Sequence, residues 1–63
     1  MKQVETNQKT FGKATKKLIL DLVPTAKYIK FIGKDVLVKN INGNTVCTWH
    51  ERFGKNGLIV IVD

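Results

Sequence analysis

Beyond Pro24, apolar and polar residues alternate with a period of two in four runs: KYIKFI, DVLVKNI, TVCTWHER and LIVIV. That period puts successive side chains on opposite faces of a strand. The connecting GK, NGN and FGKNG segments are turn chemistry. Short loops join antiparallel neighbours, so the runs predict a four-stranded antiparallel meander. Upstream the spacing changes. Phe11, Ala14, Leu18 and Leu22 recur at helical intervals, with Thr10 as a candidate N-cap and Pro24 as a stop, which predicts a helix over about 12–22. Leu18, Leu20 and Leu22 also alternate, so a strand is the competing reading there. Residues 1–10 are polar, with Val4 the one apolar side chain after Met1, and read as a flexible basic arm. The expected architecture is α+β: the arm, then a single domain over 11–63 with one N-terminal helix packed on a four-stranded antiparallel β-meander.

The turns fix a register. If Asn42-Gly43 is a two-residue type I′ turn, Ile41 faces Asn44, and the pairs Val38 with Cys47, Val36 with Trp49 and Asp35 with His50 follow. Val36, Val38, Cys47 and Trp49 then share one face. Phe31 and Ile29 join them across Gly33-Lys34, and Leu58, Val60 and Val62 join them across FGKNG. That apolar face is the natural seat for the helix. The opposite face is expected to carry Tyr28, Lys30, Ile32, Leu37, Lys39, Ile41, Val46, His50, Arg52, Ile59 and Ile61, a mixture too apolar to be left wholly in water. In a plain meander LIVIV is an edge strand with apolar residues on both sides, which invites pairing with another chain. A homodimer through Leu58, Ile59, Val60, Ile61 and Val62, through the mixed face bearing Ile59 and Ile61, or both, is the expectation; the alternative is a rearranged sheet with this strand in the centre, covered on its second face by the N-terminal arm.

Size sharpens the need for a partner. A chain of 63 residues buries only about 60% of the surface it exposes unfolded. The lone Cys47 closes no internal disulfide, and one Cys with one His falls short of a zinc ligand set. No cofactor is expected. No apolar run approaches the roughly 18 residues of a membrane span, and MKQVETNQKT lacks the apolar core of a signal peptide, so the expected location is cytoplasmic, away from membranes.

Charge is divided unevenly. Residues 1–34 hold eight lysines against Glu5 and Asp21, whereas the charges of residues 35–63 cancel, so the whole formal excess of +6 lies in the first half. Such an asymmetry favours an anionic partner, although a lysine-rich solvated surface produces the same count.

Catalytic constellations fare poorly. Cys47 and His50 are an odd number of residues apart on one strand and point to opposite faces, which excludes a nucleophile and base pair. Cys47 reads as a small buried apolar group and His50 as the cross-strand partner of Asp35. FGKNG matches no phosphate-cradling motif and reads as a turn. Gly12-Lys13 could hold one phosphate at the helix start, with Lys13, Lys16 and Lys17 adding charge. Binding chemistry remains: Tyr28, Lys30, Lys39, His50 and Arg52 interleave an aromatic ring and basic groups on the open sheet face, as surfaces that stack bases and neutralise phosphates do. The expected function is therefore a small basic non-enzymatic binding protein, a regulator or accessory factor of nucleic acid, DNA or RNA. The alternative is an inhibitor or adaptor that docks on an acidic surface of a host protein. Small size with this lysine and asparagine usage resembles small proteins of phages and other mobile elements.

Overall fold

The computed structural model describes residues 1–62; Asp63, the last residue of the expected domain, lies outside them. Strand β1 (Lys2–Glu5) is followed by helix α1 (Lys13–Leu22) and strands β2 (Tyr28–Ile32), β3 (Asp35–Lys39), β4 (Thr45–Arg52) and β5 (Lys55–Ile61). The strands form one antiparallel sheet in the order β1-β5-β4-β3-β2. The expected four-stranded meander is thus corrected to five strands, because the polar N-terminal segment supplies β1 ahead of the helix. Val4 faces Ile59 and packs on the core. β5 consequently has a neighbour on each side and is not an edge, which removes the premise of dimerisation through an unpaired LIVIV strand.

The chain leaves β1 at one edge and re-enters the sheet as β2 at the other, so α1 spans the sheet between them. Ile19, Val23, Val36, Val38, Cys47, Trp49 and Ile59 form the core. The helical reading of this segment holds, but its buried stripe is rotated from the expected one. Thr15 and Ile19 are buried, Leu18 and Leu22 half-buried, and Ala14 exposed. Leu20 is exposed between its half-buried neighbours in the alternation, so no strand face forms. Gly12, in extended conformation, is the N-cap residue instead of Thr10 and makes no side-chain cap. Thr10 accepts from the Thr15 hydroxyl through its carbonyl at 3.5 Å. The helix ends at Leu22, and its C-cap Val23, directly before Pro24, donates its N–H to Ile19 O at 2.7 Å and leaves the helical conformation, as the backbone restriction ahead of proline requires. Phe11, just ahead of the helix, closes one end of the core with edge-on contacts to Phe31 and Trp49, each at a centroid distance of 5.6 Å.

The two hairpins that share β4 resolve their turns differently. Between β3 and β4 the expected pairs Asp35–His50, Val36–Trp49 and Val38–Cys47 are present. The turn itself is not the two-residue type I′ expected. Asn40 N–H donates to Asn44 O at 2.9 Å around a three-residue loop, Ile41 to Gly43, whose last residue takes φ 82°. Asn40 Oδ1 braces that loop by accepting from the N–H groups of Asn42 and Asn44. The extra loop residue displaces the pairing by one, to Lys39 with Thr45, and a bulge at Val46 restores it.

Between β4 and β5 nothing restores it. Arg52 faces Lys55 around Phe53-Gly54, but His50 faces Leu58, so Asn56 and Gly57 together oppose Glu51. This bulge sends every later β5 side chain to the face opposite the expected one. Ile59 and Ile61 sit against the core with Trp49 and Cys47, while Leu58 and Val60 lie beside His50 and Thr48 on the open face. The cause is at Gly57, where any Cβ would run into the Trp49 indole. Only glycine lets the ring lie over the strand backbone. The Gly57 backbone is also held from the edge: its N–H donates to Gln8 O at 2.7 Å and its carbonyl accepts from Thr6 N at 3.1 Å. The buried Thr6 hydroxyl donates towards the same carbonyl at 2.9 Å.

Candidate functional site

Among the described residues, no other element covers the sheet face opposite the helix. Because β2 and β3 are in register, Tyr28 lies directly across from Lys39 and Lys30 across from Leu37. Tyr28 is 53% exposed, with Lys30 next along its strand face. These three residues form a compact cluster of one ring and two ammonium groups on the β2 side of the open face. Half-buried Leu37 on β3 and Leu58 and Val60 on β5 flank Thr48 and His50 of the central strand on that face, with Ile32 at the β2 margin.

His50 and Arg52 lie on the same face, but both His50 ring nitrogens and Arg52 Nε and Nη2 are engaged. The His50 ring bridges Asp35 Oδ1, 3.1 Å from Nδ1, and Thr48 Oγ1, 2.9 Å from Nε2. The cross-strand contact with Asp35 expected from the register is therefore present. Arg52 donates from Nε and Nη2 to the Asn56 carbonyl at 2.9 and 2.7 Å, and from Nη2 to Glu5 Oε2 at 3.0 Å. That carboxylate is held below its ordinary range, first by the hydrogen bond and then by the charge of Arg52. Arg52 thereby holds the bulged end of β5 and ties it to β1. Its role in this fold is structural.

Lys13, Lys16 and Lys17 are not part of this face. They flank Ala14 and Leu20 on α1, on the other side of the sheet from this face, with Lys16 also lining the groove where the helix meets Ile29 and Val38. The lysines expected to act together are thus divided between two surfaces, and Tyr28, Lys30 and Lys39 are the set the fold assembles. The face also differs from the expected one in its apolar members. Ile59, Ile61 and Val46 pack towards the core, so Ile59 and Ile61 are withdrawn from the open-face contact anticipated for them. Leu58 and Val60 take their place. Ile41 projects from the β3–β4 loop and is 69% exposed.

Cys47 is fully buried, and burial pushes its thiol up to about 11, leaving it protonated and unreactive at neutral pH. Among the described residues no three His, Cys, Asp or Glu side chains are grouped as metal ligands, and no helix is long and apolar enough to cross a membrane.

One exposed feature carries no signal in the period-two pattern. Phe53, at the β4–β5 turn, is fully exposed, and Lys9, Lys34 and Lys55 line the adjoining recess. Read as turn chemistry, FGKNG hides this ring. The only local hint is that a turn needs the glycine and gains nothing from a phenylalanine beside it. Set against family models, curated proteins and solved structures, the chain matches none of them.

Proposed function

We propose that the chain is a small non-enzymatic nucleic-acid-binding protein, a regulator or accessory factor, whose uncovered sheet face carries the contact. The supporting observation is the cluster of Tyr28, Lys30 and Lys39 on a face that no element among the described residues covers. An exposed ring can stack on an unpaired base, and the two ammonium groups beside it can neutralise the flanking phosphates. The formal charge of +6 adds a long-range attraction for a polyanion. Lys13, Lys16 and Lys17, on the helix across the sheet from this face, contribute to that field and not to the stacking contact.

Fluorescence anisotropy against single-stranded and duplex probes at low salt tests this reading. Tyr28→Ala weakens single-strand binding by about 1–3 kcal/mol. Replacing Lys30 and Lys39 with Gln flattens the salt dependence by up to about 0.7 for each single-strand phosphate that is no longer neutralised. Failure of both probes to bind below about 100 μM, where even non-specific binders register, rejects the proposal. Half-buried Leu37, Leu58 and Val60 on the uncovered face favour one second reading, docking on a protein whose apolar patch is ringed by acidic residues. Under that reading, binding survives nuclease treatment and is abolished by Leu58→Asp.

A further inference from the structure

We propose that the β4–β5 hairpin tip is a second contact for single-stranded nucleic acid, with Phe53 stacking on a base and Lys9, Lys34 and Lys55 neutralising the phosphates around it. This inference rests on the nucleic-acid reading above and extends it to a site remote from Tyr28 in sequence and outside the alternating strand pattern.

Phe53 leaves its whole side chain in water, although an aromatic side chain gains free energy from burial more than almost any other. The turn does not need it, because the left-handed position, φ 70°, belongs to Gly54. Basic residues gather beside the ring. Lys9 from the segment before the helix, Lys34 from the β2–β3 turn, and Arg52 and Lys55 from the ends of β4 and β5 line one recess of about 180 Å³ with Phe53. Arg52 is held by Asn56 and Glu5, and Glu51 is the one acid lining the recess. The three lysines have no ion-pair partner among the described residues. Their arrangement is framed by the fold, since Glu51 N–H donates to Lys34 O at 3.4 Å and links the two turns.

A bare ring among unpaired ammonium groups suits a strand with accessible base faces, since a base inside a duplex is already stacked on both sides. An anionic membrane also offers phosphates and an apolar interior. A tip that inserts into lipid needs several apolar side chains protruding together, whereas Phe53 protrudes beside Glu51 and three lysines.

The test compares the full chain with Phe53→Ala, Tyr28→Ala and the double variant Lys34→Gln/Lys55→Gln. Probes are fluorescein-labelled oligo-dT and oligo-rU of about twelve nucleotides, a site size typical of such surfaces, a duplex of the same length, and vesicles of equal parts phosphatidylcholine and phosphatidylserine. Phe53→Ala is expected to weaken both single strands by roughly 5- to 150-fold, leaving duplex affinity and the melting temperature unchanged. The double lysine variant is expected to flatten the salt dependence. Single-strand binding that falls in Tyr28→Ala and is unaltered in Phe53→Ala overturns the tip contact and leaves the sheet-face reading standing. If the parent chain binds no oligonucleotide, the functional reading itself fails. Co-sedimentation with the vesicles that depends on Phe53, without oligonucleotide binding, assigns the tip to membranes instead.

Discussion

The two faces of the sheet are built from the same strands, yet they are opposites. On the covered face Val36, Val38, Cys47, Trp49 and Ile59 are each no more than 2% exposed, sealed by α1 and Phe11. On the open face Leu37, Leu58 and Val60 are only half-buried, and Tyr28, Lys30 and Ile32 stand in water. A strand serves both because its side chains alternate. In so small a domain the helix can cover only one side, so stability is concentrated on the covered face and the other is free to bind. Substitutions one residue apart in β5 should therefore have very different consequences.

Ile59→Ala is expected to destabilise by about 2–5 kcal/mol, as for a fully buried aliphatic side chain, whereas Leu58→Ala, beside it in sequence, should cost less than half as much. Urea denaturation of both variants measures the contrast. The reverse order would put β5 back in the register without the bulge. Gly57→Ala tests the cause of that bulge, since its methyl group enters the space of the Trp49 indole. It should lose about 1–3 kcal/mol or more by overpacking, and a stability equal to the parent would show that the ring does not lie over this backbone. Cys47→Ser comes next, at about 1–3 kcal/mol for a buried hydroxyl in place of a thiol. The native thiol should resist alkylation until the chain unfolds. Because its folded value is raised, stability should also decline as pH climbs from the ordinary thiol range towards about 11, where the unfolded chain ionises and the folded one does not.

The smallest effect belongs to the exposed contact between Arg52 and Glu5. The folded value of the Glu5 carboxyl is lowered, so its contribution is present above the ordinary carboxylate range and disappears as pH falls through the depressed value. Glu5→Gln should lower the melting temperature slightly at neutral pH and not at strongly acidic pH. A difference that persists in acid would point to packing instead of charge.

These contrasts also explain which features are legible in the sequence. The β3–β4 pairing is readable despite a wrong turn type, because the added loop residue and the Val46 bulge cancel. The β4–β5 pairing is not, since its bulge depends on a contact between Gly57 and Trp49 that no local pattern encodes. β1 is hidden for a related reason: KQVE has one apolar residue, and its strand character comes from the β5 edge it covers and from the Thr6 and Gln8 contacts with Gly57. Apolar spacing places the helix well along the chain but misjudges its rotation. Thr15, a polar residue, is buried through its hydroxyl contact with the Thr10 carbonyl, while Ala14 faces water. For the candidate site, the cluster of Tyr28, Lys30 and Lys39 follows from strand alternation alone. The division of the remaining lysines between surfaces requires the position of the helix.

The claim that binding belongs to the uncovered face is tested most directly by the amide ¹H–¹⁵N spectrum of the labelled chain during titration with a single-stranded oligonucleotide. Shifts should concentrate at Tyr28, Lys30 and Lys39 and around Phe53, while Lys13 to Ile19 of the helix stay in place. Shifts confined to the helix lysines, or an unchanged spectrum at saturating oligonucleotide, would contradict the account.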